Sequence, residues 1–190
     1  MKKSIAFLPK KNREDLKYLV ELILDKIPVC EMIILYGSYA RGTYVSYDER
    51  EEFGIPTPFK SDYDILVINS AWGYEKIENK LVSVRNIYDK RGDHRYRVPV
   101  QFIHDSIKKV NEDLKYSRYF YTELKRDGIM LYNSGNNKLA RRKPLNFGEI
   151  KKQGEEYFRE KFAKARLFIE QAVFMYDKEE YVMSSFNLHQ

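Results

Sequence analysis
Apolar residues recur along this chain at two spacings, and the spacing names the element. In "NREDLKYLVELILDKIP", residues 12–28, Leu16, Leu19, Val20, Ile23 and Leu24 fall on one helical face, and Pro28 closes the helix. Ile77, Leu81, Val84 and Ile87 or Tyr88 predict a second helix over 74–90. Two unbroken apolar runs, "MIILY" at 32–36 and "YDILVI" at 63–68, predict buried strands. "YRVPVQFIH", 96–104, alternates like a third strand, and Pro99 within it implies an edge position or a bulge. Residues 106–127 hold helical stretches, and "GIMLYNSG", 128–135, reads as a short strand closed by a Gly-rich turn. Between the first two strands, "TYVSYDEREEFGIPTPFK", 43–60, carries two prolines, a glycine and a charge run. It reads as an exposed loop or small hairpin, either a specificity lid or a solvated insertion.

The pattern changes after residue 135. "NSGNNKLARRKPLNFGE" is polar, with Gly and Pro, and reads as a linker over 136–148. A long helix follows to about 177, with a broad apolar face that includes Tyr157, Phe158, Phe162, Phe168, Ala172 and Met175. "KEEYVMSSFNLHQ" starts another helix that meets no Gly, Asn or Pro stop signal, as expected of an incomplete second domain. The expected organisation is an α/β (α+β) domain over 1–135, built on a small mixed sheet of three to five strands with flanking helices. A helical segment over 149–190 follows it.

The chain has 190 residues, 43% hydrophobic and 33% charged, which suits a folded domain. No apolar stretch is long enough for a membrane span, and the N-terminus lacks the apolar core of a signal peptide, so the expected setting is cytoplasmic. The single cysteine, Cys30, excludes an internal disulfide and a Cys-based metal site; it reads as a small apolar residue between a helix and a strand. The net charge of +6 suits either a polyanionic ligand such as a nucleotide or RNA, or simply a solvated surface.

Chemistry concentrates at the ends of the first two strands. Gly37-Ser38 follows "MIILY", and a glycine there lets the backbone turn tightly and approach a ligand. If a helix starts at that point, its free N–H groups face an anion; Ser38 adds a hydroxyl donor and Arg41 a fixed charge. The alternative is a plain strand–turn–helix junction. Asp62 and Asp64, two apart on a strand, share a face, repel, and raise each other's pKa unless a cation sits between them. Mg²⁺ is the usual ion, held by one or two carboxylates and substrate phosphates. The alternative is two solvated aspartates at a strand start. Taken together, the two motifs place a phosphate-binding turn beside a two-carboxylate metal site.

These residues, Gly37-Ser38-Tyr39-Ala40-Arg41-Gly42 and Ser61-Asp62-Tyr63-Asp64-Ile65-Leu66, resemble the signature of the polymerase-β-like nucleotidyltransferases, in particular the minimal ones of bacteria and archaea. The resemblance implies that Gly37 and Ser38 hold a triphosphate, with Arg41 as a further phosphate contact. It implies that Asp62 and Asp64 are catalytic through divalent cations, Mg²⁺ or Mn²⁺, with an NTP as substrate. It also implies transfer of a nucleoside monophosphate to a hydroxyl or phosphate, in antitoxin-like fashion on a partner protein or on RNA. Aminoglycoside nucleotidylation shares that fold, and no residue here selects a drug. The segment 149–190, ending "SSFNLHQ", is similar to the start of a HEPN domain, a helical bundle often fused or paired with such enzymes. That likeness implies a HEPN-domain partner or self-association through the C-terminal helices. The Arg…His signature of HEPN ribonucleases has no instance after residue 149, so no RNase activity is expected.

The sequence departs from that family at one position that matters. Aligning "VPVQFIHD" on the third family carboxylate puts Gln101 where the acid belongs, and an amide cannot take a proton from a hydroxyl. Asp105, four residues on, is not expected to reach; the acidic run 48–52 is another source. The rival reading is therefore a nucleotide-binding or regulatory module with weak catalysis or none. The histidines read as ordinary residues: His94 solvated or on a phosphate, His104 packing or capping at a strand end, His189 in a helix interface.

Overall fold
The computed structural model describes residues 1–189 apart from 3, 53–54 and 92–96, and the side chains of 50–58 are likewise not described. His94 and Gln190 lie outside the described residues. The chain forms two compact units, Met1–Lys143 and Pro144–Gln190.

The first unit is a mixed α/β fold. Its elements in order are α1 (Lys10–Lys26), β1 (Cys30–Tyr36), α2 (Gly37–Arg41), β2 (Asp48–Glu52), β3 (Ile55–Phe59), β4 (Tyr63–Asn69), α3 (Tyr74–Asp89), β5 (Val100–Ser106), α4 (Ile107–Lys115), α5 (Tyr119–Asp127) and β6 (Ile129–Asn133). The main sheet has the order β5-β4-β1-β6, with β4 and β5 parallel and the other pairs antiparallel. Helices cover both faces, which is why β1 and β4 are apolar without alternation. On one face Leu16, Leu19 and Ile23 of α1 and Ile77, Leu81 and Val84 of α3 pack on Ile33, Leu35, Ile65 and Val67. On the other, Val110, Leu114, Tyr121 and Leu124 of α4 and α5 pack on Met32, Ile34, Leu66 and Ile68.

Local chemistry explains where elements start and stop. Within 43–60, β2 and β3 pair as a small hairpin, one of the two readings of this stretch; Ser61 closes its base, its hydroxyl accepting from Val45 N–H at 2.9 Å. The third strand begins later than its alternation suggests and runs on to Ser106, so His104 lies inside it. Pro99 stays outside because it has no N–H for the ladder. Its carbonyl still accepts from Tyr63 N–H at 2.8 Å, and β5 is an edge strand. His104 is buried there, its Nε2 3.2 Å from Glu78 Oε2 and its ring against Tyr74. Ser106 caps α4 by accepting from Lys109 N–H. Cys30 opens β1, buried, and burial pushes its thiol up to about 12.

Residues 136–143, part of the stretch read as a linker, are held by the first unit. Asn111 donates to Lys138 O at 3.1 Å and accepts from Ala140 N–H at 2.6 Å, and Leu139 and Ala140 pack on the α4–α5 core. The second unit is a helical pair, α6 (Phe147–Asp177) and α7 (Tyr181–His189). A capping box of Asn146 and Glu149 starts α6. Ser184 Oγ donates to Ala172 O at 2.8 Å, and these two residues lie at its buried seam. Phe158, Phe162, Phe174 and Phe186 are exposed on this unit. Among the described residues no helix is long and apolar enough to cross a membrane.

Glu31 is a buried carboxylate at a bulge in β1 that accepts from the Ser134 hydroxyl, and side-chain hydrogen bonds hold its pKa below the usual range. A depressed carboxylate pKa stabilises the fold above the unfolded value and loses that contribution as pH falls through the folded one. Glu31→Ala is therefore expected to cost about 1–3 kcal/mol at pH 7 through the lost hydrogen bonds to the carboxylate. The difference from wild type should shrink in acid, as read by urea denaturation at pH 7 and pH 3.5.

Candidate functional site
The site grows from the antiparallel pairing of β1 and β4. That register sets Tyr36, the last residue of β1, opposite Asp64. The next residue, Gly37, has φ +69° and opens α2, a helix of five residues. A Cβ on Gly37 would collide with Asp64 Oδ2 and lie 2.9 Å from its Cγ. Glycine is thus required twice here, for the left-handed backbone and for the space that the Asp64 carboxylate fills. Gly42, with φ +79°, ends α2 as its C-cap.

Tyr39 holds α2 in place from below. It is fully buried, stacked on Tyr44 with ring centroids 4.2 Å apart and edge-on to Tyr63 at 4.6 Å. Asn12 Nδ2 donates to the Tyr63 hydroxyl at 2.7 Å, which ties α1 to the same cluster. Ser38 is half-buried at the start of α2, and its carbonyl accepts from the N–H groups of Gly42 and Thr43. Arg41 is exposed on α2, close enough for its charge to act on Asp64.

Asp62 and Asp64 are both half-buried at the mouth of β4. Burial, then the charge of Asp62, raises the Asp64 carboxyl to about 6, and Arg41 opposes this. The structure therefore brings Gly37, Ser38, Arg41, Asp62 and Asp64 into one neighbourhood.

The parallel pairing of β4 with β5 sets Gln101 directly beside Asp64. Cross-strand partners share a face and lie about 4.8 Å apart, so the position next to Asp64 carries an amide and not an acid. Asp105 does not substitute for it. It pairs with Ile68, about 13 Å further along the ladder. There it accepts from the Tyr121 hydroxyl and pairs with Lys109 at 3.1 Å. Among the described residues, no group of three or more Asp, Glu, His or Cys gathers as a metal site. Two carboxylates and an amide oxygen are nevertheless a hard-oxygen donor set of the kind Mg²⁺ takes, and the missing Cβ of Gly37 is what admits one of them.

One wall of the site has no counterpart in the motif. Tyr36 packs edge-on against Phe120 of α5, centroids 5.5 Å apart. Burial, then Asp64 and Asp62, pushes the Tyr36 hydroxyl up to about 12, so it stays a neutral donor beside the acidic pair. The sequence signal was present: "YSRYFY" is a dense aromatic run at a helix start. Only the fold shows that its Phe120 meets Tyr36, the register partner of Asp64.

No family model matches the chain, and no curated protein does. Three solved structures are similar to it at low identity. A toxin–antitoxin complex with AMP-PNP has 15% identity, covering 83% of this chain and 98% of that one, with a TM-score of 0.36. A candidate nucleotidyltransferase from Sulfolobus solfataricus has 20% identity over 68% and 94%, at 0.35. A tri-AMPylated Shewanella oneidensis HEPN toxin in complex with an MNT antitoxin has 14% over 90% and 98%, at 0.36. Likeness at this level leaves the functional reading on the geometry of this chain's own residues.

Two substitutions test that geometry. Gly37→Ala is expected to cost at least about 1–2 kcal/mol for the left-handed backbone alone, with displacement of Asp64 in addition. Because the Asp64 pKa is raised above its unfolded value of 3.8 to about 6, its ionised form opposes folding, increasingly as pH rises across that window. Asp64→Asn should raise the Tm in metal-free buffer at pH 7.5 and leave it nearly unchanged at pH 4. An equal shift at both pH values would contradict a strained carboxylate.

Proposed function
We propose that the first unit is a nucleotidyltransferase that moves a nucleoside monophosphate from an NTP to an acceptor hydroxyl or phosphate, releasing pyrophosphate. The observation that supports this most is the contact of Gly37 with Asp64, which sets the turn and the acidic pair against each other. In this reading the Gly37-Ser38 turn receives the triphosphate, the Ser38 hydroxyl donating to a phosphate oxygen and Arg41 adding positive charge. Asp62 and Asp64 hold Mg²⁺ or Mn²⁺. A bound divalent ion supplies charge neutralisation on the triphosphate during in-line displacement. The acceptor oxygen bonds to the α-phosphorus as its proton passes to solvent, the α–β bridge breaks, and pyrophosphate leaves. A cytoplasmic setting suits a reaction that consumes NTP. The antitoxin-like role and the HEPN-like character of α6 and α7 rest on the sequence resemblance alone.

Gln101 favours a second reading, a nucleotide-binding module with little turnover. The amide beside Asp64 can coordinate weakly but cannot take the acceptor's proton. Pyrophosphate release with each of the four NTPs and Mg²⁺ separates the readings. The transferase predicts release that Asp62→Ala/Asp64→Ala abolishes, and a gain of about 10²-fold when Gln101→Asp restores a base. Calorimetric NTP binding without release, in wild type and Gln101→Asp alike, would establish the binding module instead.

A further inference from the structure
The strap of residues 138–143, "KLARRK", is held to the α4–α5 face by its backbone. Asn111 grips Lys138 O and Ala140 N–H, Lys125 Nζ donates to Ala140 O, and Ser117 Oγ donates to Lys143 O at 2.6 Å. Ser117 itself sits in the tight turn between the two helices, with φ +53°. Backbone anchoring of this kind leaves the side chains of Lys138, Arg141 and Arg142 exposed. The α4–α5 turn beside them exposes Lys115 and Arg118, with Tyr116 at 65% and Tyr119 at 77%. Of the nearby carboxylates, Asp105 and Asp113 share the one charge of Lys109, and Glu112 is exposed on α4, so the five exposed cations Lys115, Arg118, Lys138, Arg141 and Arg142 outweigh them.

The surface is therefore cationic, fixed in place, and interleaved with exposed aromatic rings. It is also directional. Tyr119 is followed by Phe120, whose ring meets Tyr36, and Tyr36 pairs in register with Asp64. Cations that follow a phosphate backbone, combined with rings on which bases stack, are what single-stranded nucleic acid requires. An acidic protein partner would use the charges but has no need of the exposed rings.

We propose that the 138–143 strap and the α4–α5 turn form a binding track for single-stranded RNA, which leads an RNA end past Phe120 toward Asp62 and Asp64. This names RNA as the acceptor class and, for that part, rests on the transferase reading; the track itself does not.

The test is fluorescence anisotropy of the full chain with a labelled 20-nucleotide mixed-sequence single-stranded RNA, across a salt series. Wild type is expected to bind with log Kd rising with log salt at a slope of about 3, each phosphate contact contributing about 0.7. Arg141→Ala/Arg142→Ala should weaken binding at least tenfold and lower the slope by about 1.4. It should keep the wild-type Tm, because neither side chain anchors the strap. Tyr119→Ala should weaken binding about 5- to 150-fold with the slope unchanged, as loss of a stacked base requires. Asp62→Ala/Asp64→Ala should bind RNA at least as well as wild type, and wild type that binds RNA but neither extends it nor releases pyrophosphate from any NTP would sink the enzyme reading and leave the track. Absence of RNA binding, binding indifferent to these variants, or equal displacement by poly-glutamate would overturn the track, the last in favour of an acidic protein partner.

Discussion
The approach of one carboxylate to one glycine organises the rest of the first unit. Asp64 reaches the space where a Gly37 side chain would be, and the β1–β4 register that makes this contact also sets Tyr36 against the acidic pair. Everything around the contact serves to hold it. Helices on both faces of the sheet bury the two strands apart from Tyr36 and Asp64, so neither can slip by a residue without turning apolar side chains toward water. The tyrosine cluster beneath α2 keeps a five-residue helix in place that has too few hydrogen bonds to persist alone.

Such a contact stores an unfavourable interaction. The Asp64 carboxylate is pulled from water beside a second carboxylate, and a fold keeps that arrangement where something else compensates. A cation and a polyphosphate are the compensation this geometry suits. Arg41 supplies part of the charge, from an exposed position that leaves the mouth of β4 accessible. The amide of Gln101 on the neighbouring strand cannot accept a proton, which within the proposed function favours binding and positioning over proton transfer.

Much of this was legible in the chain. "MIILY" and "YDILVI" announce strands buried on both faces, and the Gly-Ser and Asp-x-Asp pairs mark where each meets solvent. The motif spacing also named Gly37, Ser38, Arg41, Asp62 and Asp64 before any fold was known. Alignment on the family's third carboxylate points to Gln101, and the parallel ladder sets that residue beside Asp64. Local pattern misjudged other features. The alternation in "YRVPVQFIH" began the strand too early because Pro99 carries no ladder donor. The polar stretch after Gly135 reads as a linker, and its attachment over 138–140 runs through backbone groups that composition does not reveal.

The sequence by itself determined which segments are buried, where the turns demand glycine, and which residues carry charge and oxygen donors, because periodicity and backbone sterics act over a few residues. Only the tertiary structure decided which of those residues meet. The collision that excludes a Cβ at Gly37, the Phe120 ring against Tyr36, the capture of Asp105 by Lys109 and Tyr121, and the strap fastened across α4 and α5 all join segments distant in sequence. Apart from the local pairing of Asp105 with Lys109, four residues on, such contacts depend on strand order and helix packing, which no local pattern encodes.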